Sequence, residues 1–490
     1  IIDFLAQIED FQKKLWLKKK FVVESNYLIS LDRIPECFHE KVCAAINNRE
    51  KSLQLDTWHD LYGLECQQVT PSFLQASPSL VLDTQHIDSV LRDEIVASIS
   101  EVDCKTVGVL CQSNNFQALS LLGKVYEKSV KTIYIDPPYN TGTGDFLYRD
   151  GYQESSWLTM LENTLHQGKA LLKPSGALFS SIDDNESHRL KLNLEQTFGR
   201  ENHIADIVWQ KRYAPDVRTI ISDAHEYIQC FAVDRNLFGE TRRKLPLGEA
   251  QTKQFDNPDN DPRGPWKAAD FTAPGYRPNQ MYGITNPAGE TFFPPPGRCW
   301  GFTEEKYREL AADNRMHFGR DGKSRPAVKR FLGEMDGMVP WTWWNYQEVG
   351  HSQDGMKESV AYFGREGAFL TAKPLEMIKR VIRISSADND VIADYFAGSG
   401  TTADAVIRLN QEEKATRRFL LVEVGEHFDS KLRCRIQKVG YSLDWKDGKP
   451  ETTEGNSLLV KYLRLESYED TLNNLLLQNS AVDLENQPIS

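Results

Sequence analysis

Residues 131–142 read Lys131-Thr132-Ile133-Tyr134-Ile135-Asp136-Pro137-Pro138-Tyr139-Asn140-Thr141-Gly142. Ile133, Tyr134 and Ile135 are β-forming residues without polar alternation, which predicts a strand buried on both faces of a parallel sheet. The two prolines that follow cannot donate to a strand ladder, so the strand ends there. Asp136 is therefore expected at the carboxyl end of a strand, where open α/β sheets bind their ligands.

An acid, a rigid proline turn and an aromatic ring follow one another at this strand end. The Asp136 carboxylate and a proline carbonyl can accept hydrogen bonds from an exocyclic amine, and Tyr139 can stack on a planar ring. The pattern therefore predicts a site for an amine-bearing ring, with catalytic candidates Asp136, Pro137, Pro138 and Tyr139. Taken alone, the same residues also fit a plain strand and turn, in which Asp136 caps the backbone and Tyr139 packs.

A second strand and turn lies far downstream, with the sequence Asp390-Val391-Ile392-Ala393-Asp394-Tyr395-Phe396-Ala397-Gly398-Ser399-Gly400-Thr401-Thr402. Glycines let the backbone approach a ligand, and the helix that follows offers free N–H groups. The next predicted strand ends in Glu423, where an acid commonly accepts hydrogen bonds from a ribose diol. Neither GxGxxG nor GxxxxGK[ST] occurs here, so a ribose-containing cofactor without pyrophosphate fits, and S-adenosyl-L-methionine is the candidate. The alternative is a plain β-α-β unit with a structural glycine.

Strand and helix patterns alternate around both motifs, which predicts an α/β fold with a Rossmann-like parallel sheet and helical crossovers. Between about 236 and 365 prolines and glycines crowd in and the alternation stops, so we expect an inserted, loop-rich domain. Residues 1–100 are predicted as a helical N-terminal region, because Phe4, Leu5, Ile8 and Phe11 recur at helical spacing. The remaining predicted segments are the catalytic half (101–235), the insert (236–365), the cofactor-binding half (366–465) and a C-terminal tail (466–490).

The chain is acidic, with a net charge of −12, which argues against a surface coated with phosphate contacts. A local basic groove is still compatible with nucleic acid. Basic residues cluster within the insert near tryptophans, which favours a DNA-binding surface, although solvated charge and core aromatics explain the same pattern. The cluster comprises Arg320, Lys323, Arg325, Lys329 and Arg330.

Cysteine usage and hydropathy indicate the compartment. The eight cysteines form no CxxC pair and no cluster with zinc spacing, so we expect reduced thiols, a cytoplasmic protein and no metal site. No run of about eighteen apolar residues occurs, which predicts the absence of a membrane span. No signal peptide is visible, and a start at Ile1 is compatible with a trimmed sequence.

The two motifs together resemble those of amino-group DNA methyltransferases. Asp136-Pro137-Pro138-Tyr139 precedes Phe396-Ala397-Gly398-Ser399-Gly400 with a large insert between them, as in the β arrangement, whose insert is the target-recognition domain. Nearly the whole chain resembles the modification subunit of type III restriction–modification systems, an adenine-N6 methyltransferase. The further matches are Ser155–Leu161, Trp209-Gln210-Lys211, the Asn257–Trp266 block, Lys373-Pro374 and Phe419–Glu423. Ala393, Tyr395 and Ser113 depart from the usual residues, and we expect none of them to abolish cofactor binding.

This resemblance implies roles for individual residues. Glu423 should hold the ribose hydroxyls, Asn114 and Asn115 should lie beside the adenine, and Asp394 should lie near the ammonium of the cofactor. The implied cofactor contacts are Asn114, Asn115, Asp136, Thr371, Lys373, Pro374, Asp394, Phe396, Ala397, Gly398, Ser399, Gly400, Thr401 and Glu423. The implied DNA contacts add Trp209 and Lys211 to the basic cluster.

The implied reaction is methylation of a flipped-out adenine in double-stranded DNA, with Asp136 and the Pro137 carbonyl accepting the amine hydrogens. The family also implies a homodimer and a helicase–nuclease restriction subunit as partners. One alternative is a cytosine-N4 methyltransferase, for which serine in place of Asp136 is usual. Methylation of RNA or of a protein glutamine is disfavoured by the large insert. A non-catalytic DNA-recognition subunit is the third alternative, and a cofactor-binding assay separates it.

Overall fold

The computed structural model describes residues 18–48, 50–141, 151–467 and 470. The chain divides into two compact units, a larger one formed by residues 1–243 and 341–490 and a smaller one formed by residues 244–340. The periodic positions Phe4 to Phe11 of the predicted N-terminal helix, and most of the predicted tail 466–490, lie outside the described residues. Among the described residues, no helix is long and apolar enough to cross a membrane.

The described strands are numbered here in chain order. They are β1 (Val22–Ser30), β2 (Val81–Asp83), β3 (Gly108–Gln112), β4 (Val130–Ile135), β5 (Leu172–Ile182), β6 (His203–Gln210), β7 (His225–Ala232), β8 (Trp266–Asp270), β9 (Thr272–Pro274), β10 (Ile284–Thr285), β11 (Thr291–Phe292), β12 (Arg298–Trp300), β13 (Met316–His317), β14 (Ala327–Phe331), β15 (Trp343–Trp344), β16 (Val391–Asp394), β17 (Arg418–Glu423), β18 (Trp445–Lys446), β19 (Lys449–Pro450) and β20 (Leu459–Leu465).

The described α-helices fall mainly between these strands, as crossovers require. They are His39–Asn47, Gln54–Tyr62, Pro71–Ala76, Ser89–Ser98, Val102–Lys105, Asn115–Tyr126, Glu154–Leu171, Ser187–Phe198, Arg235–Thr241, Glu249–Thr252, Glu304–Ala312, Tyr346–Val349, Ser352–Gly367, Leu375–Ser385, Thr401–Glu413 and Cys434–Tyr441.

One sheet organises the larger unit, with strand order β15-β6-β7-β5-β4-β16-β17-β3-β20-β1-β2. Strands β5, β4, β16, β17, β3 and β20 run parallel, which confirms the predicted α/β fold with a parallel sheet. Strand β7 is antiparallel to both β5 and β6, so β6 runs in the same direction as β4. The carboxyl ends of β6, β5, β4, β16, β17 and β3 therefore share one edge of the sheet.

The two sequence motifs lie on adjacent strands. Ile133 on β4 pairs with Ala393 on β16, although 260 positions separate them in the chain. All six residues of β4 and all four of β16 are buried, as expected for central strands with helices on both faces. The hydrophobic core around them includes Trp157, Leu161 and Tyr395. Folding thus brings the proline turn after β4 beside the glycine turn after β16.

Two predicted boundaries differ from the structure. The region 1–100 is not wholly helical, because β1 and β2 form one end of the sheet and β1 pairs antiparallel with β20. The smaller unit, Lys244–Pro340, is narrower than the predicted insert 236–365. The flanking helices belong to the larger unit because they pack there. Lys131 donates to Thr241 at 2.7 Å, and Arg408 donates to Tyr362 at 2.8 Å.

The smaller unit has its own core and no strand longer than five residues among those described. It contains the three-stranded antiparallel sheet β13-β14-β8 and two short two-stranded pairs, β9 with β12 and β10 with β11. Phe271, Ile284, Trp300 and Val328 form its core. Short strands and long connections thus make up this segment.

Candidate active site

Four strand ends place the candidate residues at one edge of the sheet. Asp136 follows β4, Asp394 ends β16, Glu423 ends β17, and Asn114 follows β3. Glu423 and Gln112 are register partners on neighbouring parallel strands, so β17 and β3 end at the same level. The sheet topology therefore brings these four predicted residues together, whereas Thr371 and Lys373 reach the site from the segment before the helix Leu375–Ser385.

Asp136 lies in a network of charged side chains. The ammonium nitrogen of Lys373 lies 3.0 Å from Asp136 Oδ1 and 3.5 Å from Glu226 Oε2. Burial raises the pKa of Asp136 above its usual range, the Lys373 ammonium acts to lower this pKa, and the Glu226 carboxylate raises it further. A quarter of the Asp136 side chain remains exposed (25%), which leaves room for a ligand to reach the carboxylate.

Tyr139 is fixed at both its hydroxyl and its ring. Its hydroxyl donates to Glu226 Oε2 at 3.0 Å, and the Lys373 ammonium lies 4.7 Å from the centre of its ring. The carbonyl of Pro138 accepts a hydrogen bond from the indole N–H of Trp157 at 2.8 Å. This bond ties the proline turn to the helix Glu154–Leu171, so the turn is held by the hydrophobic core.

The turn after β16 is closed by backbone hydrogen bonds to neighbouring elements. The Gly398 N–H donates to Glu423 Oε2 at 2.8 Å, and the Gly400 N–H donates to the Ala397 carbonyl at 2.8 Å. Gly398 and Gly400 have φ values of +49° and +83°, which explains why glycine occupies both positions. The second oxygen of Glu423 accepts from the N–H groups of Val424 and Gly425 at 2.9 and 3.1 Å. Each carboxylate oxygen has two lone pairs, so Glu423 keeps capacity to accept from a ligand.

Asp394 is fully enclosed beneath this turn. Its carboxylate accepts from the Thr402 hydroxyl at 2.6 Å and from the Phe396 N–H at 2.9 Å. Burial raises the pKa of Asp394 to about 7, so a nearby cation would stabilise its ionised form.

Two cavities connect these groups. The larger one has a volume of about 810 Å³, within the range of small-molecule sites, and its lining includes Asn114, Asn115, Asp136, Pro138, Thr371, Phe396, Gly398 and Glu423. The smaller one has a volume of about 40 Å³, and its lining includes Asp136, Thr371, Lys373, Asp394, Phe396, Ala397, Gly398, Ser399 and Thr401. The shared lining residues make them two parts of one site.

Some predicted site residues line neither cavity. Pro137 and Tyr139 lie next to Asp136 in the proline turn, Gly400 shapes the turn after β16, and Pro374 precedes the helix Leu375–Ser385. For these four positions, the described structure supports a role in shaping the site. Thr401 does line the smaller cavity, and its hydroxyl accepts a hydrogen bond from the buried Arg435 at 2.9 Å.

Three predicted DNA contacts are contradicted by burial. Trp209 is 1% exposed and donates its indole N–H to the Gly350 carbonyl at 2.9 Å. Lys211 is buried and pairs with Asp223 at 2.6 Å. Both residues belong to the larger unit, where they hold β6 and the loop after it in place.

Lys329 is the third of these corrections. It is 2% exposed and pairs with Asp259 and, at 3.4 Å, with Asp261. These acids come from the Asn257–Trp266 block, so within the smaller unit their ion pairs with Lys329 join that block to β14. The other members of the basic cluster are exposed: Arg320, Lys323, Arg325 and Arg330.

Residues 130–432 match the family model described as DNA methylase, N6 and N4 methyltransferases. The match covers more than half of the 490 residues and includes both motifs. This chain belongs to the DNA methylase family.

Curated relatives of this family member are also named as DNA-modifying enzymes. It is 30% identical over 365 residues to the Mod subunit of the type III restriction-modification enzyme StyLTI of Salmonella typhimurium, which covers 67% of this chain and 54% of that protein. It is 25% identical over 480 residues to the EcoPI Mod subunit of Escherichia phage P1, covering 84% of this chain and 70% of that protein. It is 28% identical over 307 residues to the type II methyltransferase M.EcaI of Enterobacter cloacae, covering 61% of this chain and 64% of that protein. This chain thus spans about half the length of the Salmonella relative.

Sequence reasoning missed two residues of the site in this family member. Glu226 contacts both Tyr139 and Lys373, and Arg435 holds the turn after β16. Phe369, which begins the segment that contains the Lys373-Pro374 match, lines both cavities. Glu226 lies in β7 and Arg435 in the helix Cys434–Tyr441, and nothing in the local sequence distinguishes either one from a solvated charge.

Proposed function

We propose that this protein transfers a methyl group from S-adenosyl-L-methionine to the N6 amine of adenine in double-stranded DNA. The observation that carries the proposal is the position of Asp136. Its partly exposed carboxylate lines both parts of the cavity that the glycine turn and Glu423 also line. An amine acceptor and a cofactor site thus share one space.

The residues present fit the cofactor. Glu423 offers acceptor oxygens suited to a ribose diol, and Asn114 and Asn115 line the same cavity. Asp394 and Asp136 place negative charge around the smaller part of the cavity, which suits the positively charged methionine end. When bound, S-adenosyl-L-methionine supplies an electrophilic methyl group on a positively charged sulfur.

Asp136 and its neighbours perform the remaining tasks. The carboxylate accepts an amine hydrogen of the base, which returns electron density to the nitrogen as it becomes tetrahedral. The target base must leave the duplex to reach this acid, and the Tyr139 ring offers a stacking surface beside it. Lys373 now contacts both the acid and the ring, so an incoming amine competes with its ammonium for Asp136. After transfer, Asp136 can pass the proton to water.

The alternative, cytosine-N4 methylation, uses the same amine chemistry but is not favoured by the relatives found. The acid at position 136 favours adenine by resemblance to the family.

The names of the two Mod relatives support a role in restriction–modification. From the resemblance to this family, we propose that the protein forms a homodimer and associates with a helicase–nuclease restriction subunit. The relative M.EcaI is named a type II methyltransferase, so activity without such a subunit is the expectation to test first.

Long-read sequencing of DNA from cells that express the protein tests the proposal. We expect N6-methyladenine in one short motif with the wild-type chain and none with Asp136→Ala. Asp206→Ala serves as a matched control, because Asp206 pairs with Lys191 outside the site. N4-methylcytosine in place of N6-methyladenine would reject the adenine assignment. An absence of any modified base, with purified protein that binds S-adenosyl-L-methionine, would reject the activity without a partner.

A further inference from the structure

The loop after β6 stands at the catalytic edge of the sheet. Residues 211–224 connect β6 to β7, and β6 runs in the same direction as β4. The loop therefore leaves the sheet at the edge where Asp136 follows β4. Lys211 begins the loop and lies 3.5 Å from Glu226, the residue that also contacts Tyr139 and Lys373. The base of the loop is thus joined to the charged network of the site.

Three large apolar side chains of this loop are almost completely exposed. Val217 is 93% exposed, Ile220 104% and Ile221 89%. They fall within five consecutive positions of the same loop, and we call them the apolar tip. Contiguous exposed apolar surface on a folded protein commonly marks an interaction site.

Hydrogen bonds within the loop hold the tip in shape. The Asp216 N–H donates to the Ser222 hydroxyl at 2.7 Å, and the Thr219 hydroxyl donates to the Asp216 carbonyl at 2.8 Å. The Asp216 carboxylate also accepts from the Arg218 guanidinium at 2.8 and 2.9 Å. At the base, the N–H groups of Lys211 and Arg212 donate to the Ala224 carbonyl. The apolar side chains are therefore presented on an organised turn.

We propose that Val217, Ile220 and Ile221 form an apolar wedge that enters the DNA base stack beside the target adenine. This inference rests on the proposed function, because an adenine that reacts at Asp136 must leave the duplex. Apolar side chains inserted between base steps unstack them, and such wedges are a known means of deforming DNA. The exposed Arg212 at the base of the loop adds positive charge beside the tip, which suits a phosphate next to an opened step.

The test uses duplexes that contain the motif found by the sequencing experiment. One duplex has the normal thymine opposite the target adenine, and the other has an abasic position there, which removes the pairing that opposes flipping. The double variant Ile220→Ser with Ile221→Ser is compared with wild type in single-turnover methylation. Val125→Ser is the matched control, because Val125 is 74% exposed on the helix Asn115–Tyr126, outside the loop. Binding of S-adenosyl-L-methionine reports that each variant is folded.

On the paired duplex we expect the double variant to be about tenfold slower than wild type, and on the abasic duplex within about twofold of it. A paired duplex that carries 2-aminopurine in place of the target adenine reports base flipping, because this base fluoresces more when it is unstacked. We expect its fluorescence to be lower with the double variant than with wild type. An equal loss on both duplexes, or no loss on either, would overturn the wedge while wild-type activity upholds the proposed function. A loss that accompanies dissociation of a dimer in light scattering would assign the tip to a second copy of the chain instead. Wild-type inactivity on both duplexes would reject the proposed function and this inference with it.

Discussion

The ammonium nitrogen of Lys373 lies 3.0 Å from Oδ1 of Asp136. Burial raises the pKa of Asp136, and this ammonium opposes the effect. Because Asp136 must be ionised to accept an amine hydrogen, the methylation rate should fall as pH drops through its raised pKa. We expect Lys373→Met to raise that pKa further and to shift the acid limb of the rate profile to higher pH.

The measurement is the single-turnover methylation rate as a function of pH. Lys191→Met is the control, because Lys191 pairs with Asp206 outside the site and its loss should leave the profile in place. An acid limb that does not move in Lys373→Met would show that the ion pair does not set the ionisation of Asp136.

Glu226 should act on the same profile with the opposite sign. Its carboxylate raises the pKa of Asp136, so Glu226→Gln should lower that pKa and move the acid limb to lower pH. The amide oxygen of glutamine can still accept from the Tyr139 hydroxyl, so the ring keeps its position. Glu226→Ala removes that acceptor, and we expect a fall in kcat of about tenfold with little change in the KM for S-adenosyl-L-methionine. Equal kinetics of the two variants would contradict a positioning role.

Local sequence signals were enough to predict the two motif strands and the site residues directly after them. Asp136, Asp394 and Glu423 each end or follow a strand, and the rule that ligands bind at carboxyl ends of parallel strands placed them together. Glu226 was not predicted as a site residue, because its contact with Tyr139 joins residues 87 positions apart. No periodicity or spacing marks such a pair.

In the basic cluster, the sequence predicted a DNA contact at a residue that the structure buries. Lys329 and Arg330 are neighbours in sequence and look equivalent, yet Lys329 is buried and Arg330 is exposed. The deciding contact is Lys329 with Asp259, 70 positions away. Burial of a charge depends on a distant partner, which composition cannot reveal.

Exposed and buried members of the basic cluster together test whether the smaller unit binds DNA. Arg325→Ala and Arg330→Ala should each weaken DNA binding and reduce the slope of log affinity against log salt by about one, since each would remove one phosphate contact. Lys329→Ala should leave that slope unchanged and lower the free energy of unfolding by about 1.5–3 kcal/mol, because it removes a buried hydrogen-bonded cation, although Arg263 still pairs with Asp261. Fluorescence anisotropy across a salt series and thermal unfolding measure the two effects. A slope unchanged in both arginine variants would place the phosphate contacts elsewhere.

Two glycines test whether the turn after β16 requires its conformation. Gly400 has a φ of +83°, and a Cβ atom there would lie 2.8 Å from Leu432 Cδ1. Gly400→Ala should lower the free energy of unfolding by about 1–3 kcal/mol and weaken binding of S-adenosyl-L-methionine. Gly239→Ala is the matched control, because Gly239 lies in the helix Arg235–Thr241 with open space around the new methyl group. It should stabilise the protein by about 0.5–1 kcal/mol. Calorimetric titration and thermal unfolding compare the two variants.

Asp394 should link cofactor binding to pH. Burial raises the pKa of its carboxyl to about 7, and a bound ammonium or sulfonium would favour the ionised form. We therefore expect the affinity for S-adenosyl-L-methionine to rise with pH up to about 7 and to level off above it. Below that pH, binding should release a proton. Calorimetry in two buffers of different ionisation enthalpy measures that proton directly, and Asp394→Asn should abolish its release.

Without the cofactor, the same carboxyl should affect stability with the opposite sign. The folded-state pKa of Asp394 lies above its usual 3.8, so the folded protein holds a proton that the unfolded chain loses between pH 3.8 and about 7. The contribution of Asp394 to the free energy of unfolding should therefore fall as pH rises through that window, by about 1.4 kcal/mol for each unit of pKa shift. Asp394→Asn should remove this slope, so the stability difference between variant and wild type should grow in favour of the variant towards pH 7. A difference that stays constant with pH would mean that Asp394 is already ionised in the folded protein, and that Thr402 and the Phe396 N–H compensate for its burial.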